Sequence, residues 1–390
     1  MLYLSRSILL LICLTVLFAC DSAQMQEKQI KETQSEKTSQ PNNLFVVMVN
    51  KKYGFIDRTG KIVIEPQFEF ANDFVEGLSL VGIRNDELKS GYIDETGKIV
   101  ISLQSGGSDY SEGLAAVGAG EFTMHGSGDH KFGFVDKTGK LVIETSFREA
   151  RAFSEGLSAV MNDERKWGYI DKTEKVVIPF QFEDAFSFSE GLACVLTNGL
   201  FGFIDKSGKV VIQPRFAIPS QFKEGLAAVE TPIKDFKPYK YYGTYVKSGG
   251  ELMFIDKTGN TAIKFDNNVG NVSDFSEGLA IIDVKESEKK FYTGFIDKTG
   301  KTIVRLPFDA IVQNFSEGLA RFQYEDKFGF VDKTGKIVIK PKYSYVEDFR
   351  NGLSKIEIGK RVGDEGTKLG YTPKSGYIDK TGKVIWKPTN

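Results

Sequence analysis

The chain is poor in the residues that staple, ligate or catalyse. Of 390 residues, three are Cys and two are His. Cys13 falls inside a leading apolar run and Cys20 at its end, which leaves Cys194 alone and excludes an intrachain disulfide. Cys194 stands in "GLACVL", where copies such as "GLAAV" carry Ala, and so reads as a small buried strand residue. Neither sign of charge is in excess, with 51 Lys plus Arg against 52 Asp plus Glu. That balance excludes a general electrostatic footprint for nucleic acid or an anionic membrane surface. Both histidines sit in one stretch, "GAGEFTMHGSGDH". His125, Asp129 and His130, with Glu121, are the weak metal candidates. His-x4-His in a Gly-rich loop without Cys makes a poor metal site, so no metal and no cofactor is expected.

What the chain has in quantity is Phe, Tyr and Gly: 31, 15 and 40 residues. The Gly content exceeds the usual share of about 7 % and falls mostly at fixed repeat positions, which is turn chemistry rather than disorder. One phrase, written "FGFIDKSGKVVIQPRF" from Phe201, recurs nine times. Its Asp residues are Asp57, Asp94, Asp136, Asp171, Asp205, Asp256, Asp297, Asp332 and Asp379. The mean period of about 40 residues is that of a repeat architecture. A second phrase, "FSEGLA" and its relatives, runs in step.

The first 43 residues are of another kind. The run Ile8 to Phe18, broken only by Thr15, is too short to span a bilayer comfortably and suits a signal-peptide core. It ends in "LFAC", which resembles a bacterial lipoprotein signal: Ala19 precedes a Cys that would become the lipidated first residue, Cys20. Phe18 is bulkier than the residue usual there. Residues 20–43 are polar and nearly free of bulky apolar side chains, too little to offset the entropy of ordering. The expected organisation is a signal over 1–19, a tether over 20–43 and a repeat domain over 44–390.

Within a repeat, "FGFV" is aromatic and β-branched and favours strand. "DKTG" supplies a tight reversal, with Asp accepting from the backbone two residues on and Gly taking φ > 0. "KIVI" is a second strand and "GLAAV" a third, so the unit reads as a three-stranded antiparallel repeat. The residue after "GL" is always small: Ser79, Ala115, Ser158, Ala193, Ala227, Ala280, Ala320 or Ser354. Such a position faces a close neighbour. The aromatic of "GFID", from Phe55 to Tyr377, is present in all nine copies and fits a stacked core running from unit to unit. In copy four, "DKTEK", Glu174 replaces the turn Gly.

This pattern resembles the WG-repeat (KWG-repeat) family of all-β bacterial repeat proteins, over Leu44 to Asn390. Only "KWGYIDKTEKVVIPFQF" from Lys166 carries the eponymous Trp-Gly, and copy six reads "LMFID". The resemblance implies a binding or scaffolding surface and no catalytic motif. Nine whole units, none split between the termini, favour an open curved array or solenoid. A closed propeller-like ring is the alternative, with "QFEFANDF"-type segments as fourth strands.

Nine Asp and seven "EGL" Glu (76, 112, 155, 190, 224, 277 and 317) recur with the period. An enzyme needs one asymmetric constellation, not many equivalent copies. Asp therefore reads as a turn residue, and Glu as an acceptor for backbone at the next turn or as a solvated group. Function is expected in departures from the repeat, above all "ETPIKDFKPYKYYGTYVKSGGEL". There Phe236, Tyr239, Tyr241, Tyr242 and Tyr245 interleave with Lys234, Lys237, Lys240 and Lys247. Tyr of this kind suits protein or sugar contacts; an extended hairpin with its Tyr packed together fits equally well. The expectation is an exported, lipid-anchored, non-enzymatic envelope protein that binds a protein or an envelope glycan. A hydrolase of envelope polymers using carboxylates in the insertions is the rival.

Overall fold

A computed structural model of the chain describes residues 43–84, 88–103, 106–119, 130–234, 236, 240–241, 244–245, 249–266, 268–287, 290–306, 310–359 and 374–389. Every regular element among these is a β-strand. The strands form nine small antiparallel sheets, here called blades, and one two-stranded hairpin. Blades one to nine occupy residues 45–68, 79–103, 114–147, 149–182, 184–216, 227–264, 269–305, 311–343 and 345–389.

The frame of the blade differs from the frame of the sequence unit. The "GL" strand pairs with the "GFID" strand that follows it, not with the "KIVI" strand before it. Leu192–Thr197 pairs with Leu200–Asp205, which pairs in turn with Val210–Phe216. The cause is turn chemistry: Thr197 opposes Leu200 across Asn198 and Gly199, at φ 51° and 73°. That is the left-handed pair of a type I′ hairpin, whose twist matches the strands it joins. The segment after "KIVI" instead enters the next blade, where it adds a short fourth strand in five of the nine. Asp184–Ala185, for example, pairs with Leu196 and Val195.

The repeat Gly before the aromatic has a steric reason. In blade five the third strand bulges across it: Phe201 opposes Phe216 and Phe203 opposes Ile212. A Cβ on Gly202 would lie 2.6 Å from the Ile212 carbonyl oxygen and 2.7 Å from Pro214 N. Blade six carries Met253 at this position, and there the third strand is short and Met253 pairs in regular register with Lys264.

Side chains of each second strand point alternately to the two neighbouring blades. Phe203 packs with Phe222, Ala227 and Val229 of the following blade segment, whereas Ile204 packs with Leu157, Tyr169 and Ile178 of the preceding blade. Each of the nine joints has its own apolar cluster. The residues after "GL" are at most 1 % exposed, as a close neighbour requires. The "GFID" aromatics pair across the joints, Phe55 with Phe74 at 4.8 Å and Phe330 with Phe349 at 4.6 Å between ring centroids.

The ninth cluster joins blade nine to blade one. Tyr377 meets Phe45 at 5.5 Å, edge to face, and its hydroxyl donates to the Val46 carbonyl at 2.8 Å. The array is therefore a nine-bladed ring like a propeller, the alternative to the open array favoured by the intact terminal units. That inference failed because of the offset frame. Phe45–Val49 already serves as the "GL"-type strand of blade one, so no strand need be shared between the ends. Closure uses the same side-chain packing as every internal joint.

Candidate binding surface

The repeated carboxylates come first, because they are the obvious chemistry. Glu76 and Gly77 form a two-residue hairpin at φ 53° and 84°, with Val75 N–H donating to Leu78 O at 2.9 Å. The same left-handed Glu recurs at 112, 155, 190, 224, 277 and 317. Each carboxylate accepts the Gly N–H of the next blade's turn, as from Gly113 to Glu76 at 3.0 Å and from Gly225 to Glu190 at 2.9 Å. The "DKTG" Lys of that next blade completes the contact, Lys137 on Glu76 at 3.0 Å and Lys257 on Glu190 at 3.1 Å. Burial pushes the carboxyls of Glu76, Glu155, Glu190, Glu277 and Glu317 upward, but the Lys and the Gly N–H outweigh it. All five lie below the usual glutamate range. In blade nine Asn351 takes the left-handed position.

The nine turn Asp are committed in the same way. Asp57 Oδ1 accepts Thr59 N at 2.8 Å, Thr59 Oγ1 at 2.6 Å and Lys61 N at 3.1 Å, and the pattern recurs in every copy. These hydrogen bonds hold the Asp57 carboxyl below its ordinary range, the Thr59 hydroxyl contributing most. Cys194 is buried, and burial pushes its thiol up to about 12.

Of the aromatic–basic insertion, the structure describes Phe236 and a hairpin of Lys240–Tyr241 with Thr244–Tyr245. Tyr239, Tyr242 and Lys237 lie outside the described residues, as do Cys20, His125 and Asp129. The base of the insertion is stapled by Glu230, 1 % exposed, whose Oε1 accepts the N–H groups of Gly249 at 2.6 Å and Gly250 at 3.1 Å. His130 is described and its ring meets Phe132 edge to face at 5.3 Å. Among the described residues no group of three His, Cys, Asp or Glu could hold a metal ion.

Among the crevices lined by described residues, three hold departures from the pattern. One, of about 330 Å3, holds Asp73, Arg321, Asp348 and Arg350, but these pair with each other: Arg350 with Asp73 at 2.7 Å and Arg321 with Asp348 at 2.9 Å. A second holds Asp274, whose carboxyl is pushed upward by burial against the pull of Lys223; Phe186, Ile218, Ser220 and Gln221 also line it. The third, of about 440 Å3, lies between blades seven and eight and combines Phe291, Tyr292 and Ile311 with Asn271, Asp283, Thr293, Gln313 and Asn314.

The model of the WG containing repeat matches residues 53–85, 91–118, 132–165, 167–201, 201–231, 253–286, 294–328 and 328–361, more than half of the chain. The chain belongs to the WG-repeat family. No curated protein matches it in sequence. Among solved structures, a eukaryotic initiation factor is similar over 89 % of this chain and 95 % of its own, at 12 % identity and a TM-score of 0.53. BamB from Moraxella catarrhalis is similar over 73 % of this chain and 94 % of its own, at 12 % identity and a TM-score of 0.35. The first of these likenesses is one of fold alone.

The one WG-type Trp is core. Trp167 is 4 % exposed, under the Arg151 guanidinium at 4.9 Å, and Arg151 pairs with the buried Asp184 at 3.1 Å. The equivalent WG-repeat position in blade five is the buried Phe201, but in blade seven it is Thr293. Thr293 lines the third crevice. Reading the repeat for its regular residues missed it, although "FYTGFID" beside "KFGFVDK" carried the signal.

Proposed function

We propose that this WG-repeat protein is a lipid-anchored, non-enzymatic component of a bacterial cell envelope, whose ring presents surface to an envelope glycan or protein. The observation that carries the reading is the commitment of the periodic carboxylates. Seven Glu and nine Asp recur in chemically equivalent settings, each bound by backbone N–H groups, and acid–base work requires two groups driven apart. The crevice with the raised Asp274 has no second carboxylate in its lining. A ring of equivalent blades offers area, and departures from equivalence give that area specificity. Attachment rests on Cys20 after Ala19 and on the polar tether over 20–43.

The test is co-sedimentation of the fragment Asn43–Asn390 with insoluble peptidoglycan, since the nine blades close on themselves within it. A second version replaces residues 233–247 by two Gly. It keeps Glu230, Gly249 and Gly250, because cutting them away would strand a buried carboxylate. Pelleting of the first and not the second places binding on the aromatic–basic insertion. If neither pellets, peptidoglycan is not the ligand and the search turns to protein partners. For the anchor, Cys20→Ser should move the full chain from the membrane to the soluble fraction; unchanged fractionation would overturn it.

A further inference from the structure

We propose that the crevice between blades seven and eight is a saccharide subsite, taking one uncharged sugar residue of a glycan chain; this deepens the glycan branch of the function above. Sugars present hydroxyls that both donate and accept, on a ring whose C–H faces are apolar. Recognition therefore needs planar amide or carboxylate side chains beside an exposed hydrophobic surface. The crevice supplies both. Asn271, Gln313 and Asn314 contribute amides, and Asp283 a carboxylate already oriented by the Thr293 hydroxyl at 2.9 Å and the Asn271 amide at 3.4 Å. Phe291 is 53 % exposed and Ile311 66 %, unusual for side chains of this size. Tyr292 is held in place by the Arg305 guanidinium 4.0 Å from its ring centroid.

Charge selects against the alternatives. No Lys or Arg lines the crevice, and Arg305 behind Tyr292 is paired with Glu286, so a phosphate or uronate would face the Asp283 carboxylate. At about 440 Å3 the volume is within the range of small-ligand sites. Thr293 stands where blade five places the buried Phe201, as Ser90 and Ser375 do in blades two and nine, but here it lies beside the exposed Phe291 and Ile311. A glycan bound here would meet the ring at one defined azimuth.

The experiment uses fragment Asn43–Asn390 with triacetylchitotriose and maltotriose as probes, read by saturation-transfer NMR and calorimetry, beside peptidoglycan pelleting. Thr293→Phe refills the crevice with a side chain the fold already accepts at that position. Phe291→Ala removes an exposed ring without touching the core. The expected result is binding of at least one probe, lost in Thr293→Phe and weakened about tenfold in Phe291→Ala. If pelleting persists and both variants bind the probes like the parent, the glycan function stands and this subsite falls. If the parent neither pellets nor binds a probe, both fall.

Discussion

Glu174 occupies a turn position at φ 68°, where the eight sister turns have Gly at φ 80° to 86°. A side chain there costs about 1–2 kcal/mol of left-handed strain, partly offset by the greater chain entropy of Gly when unfolded. Glu174→Gly should therefore raise the melting temperature by about 1–3 °C in a thermal scan; a lower value would mean that Glu174 holds a contact worth more than its strain. The reverse change is costly at the other repeat Gly. Gly202→Ala puts a methyl against the backbone of the bulged third strand and should cost about 1–3 kcal/mol in urea unfolding. Both effects are readable from sequence in part. The turn Gly was legible because "DKTG" names its own conformation. The second Gly was not, because its constraint comes from a strand that folds over it.

Between elements, the Glu–Gly–Lys contacts bind each blade to the next through charge. The carboxyls of Glu76, Glu155, Glu190, Glu277 and Glu317 titrate lower in the folded ring than in the unfolded chain. The stability they contribute is thus complete above about pH 5 and drains away as pH falls through the folded values. Glu190→Gln keeps an acceptor for Gly225 N–H but removes the titration and the attraction of Lys257. It should lower stability modestly at pH 7, and the deficit should shrink toward pH 3; a constant deficit would show that charge plays no part. Sequence reasoning left Glu either an acceptor for backbone at the next turn or a solvated group, and the structure shows the first. It paired the strands in the wrong frame, because Asn198-Gly199, a hairpin turn in plain sight, lies between two repeats rather than within one.

For the whole molecule, closure gives the end blades the same support as the middle ones. Residues 45–56 and 374–379 should exchange amide hydrogens as slowly as the corresponding strands of blade five, whereas an open array would fray at its ends. Tyr377→Phe removes the hydroxyl bond to Val46 and should cost about 1 kcal/mol, with exchange quickening first in those two segments. Faster exchange elsewhere would mean that the joint between first and last blades is not the weakest. The all-β repeat and its core aromatics were legible from periodicity alone. Closure was not, since the rotation at each joint depends on packing that no single repeat encodes. The crevice between blades seven and eight was hidden for the opposite reason: its lining, with Phe291, Thr293, Ile311 and Asn314, belongs to segments that depart from the repeat.

The offset between repeat and blade also dictates where this protein can be cut. A break at the sequence boundary before any "GFID" leaves a "GL" strand without its partner at one end and a two-stranded remnant at the other. Both expose unpaired strand edges, which invite self-association. A break after the third strand, such as between Phe182 and Glu183, separates whole blades. Chains shortened or lengthened there keep every hairpin intact, so blade number can change without any strand losing its mate.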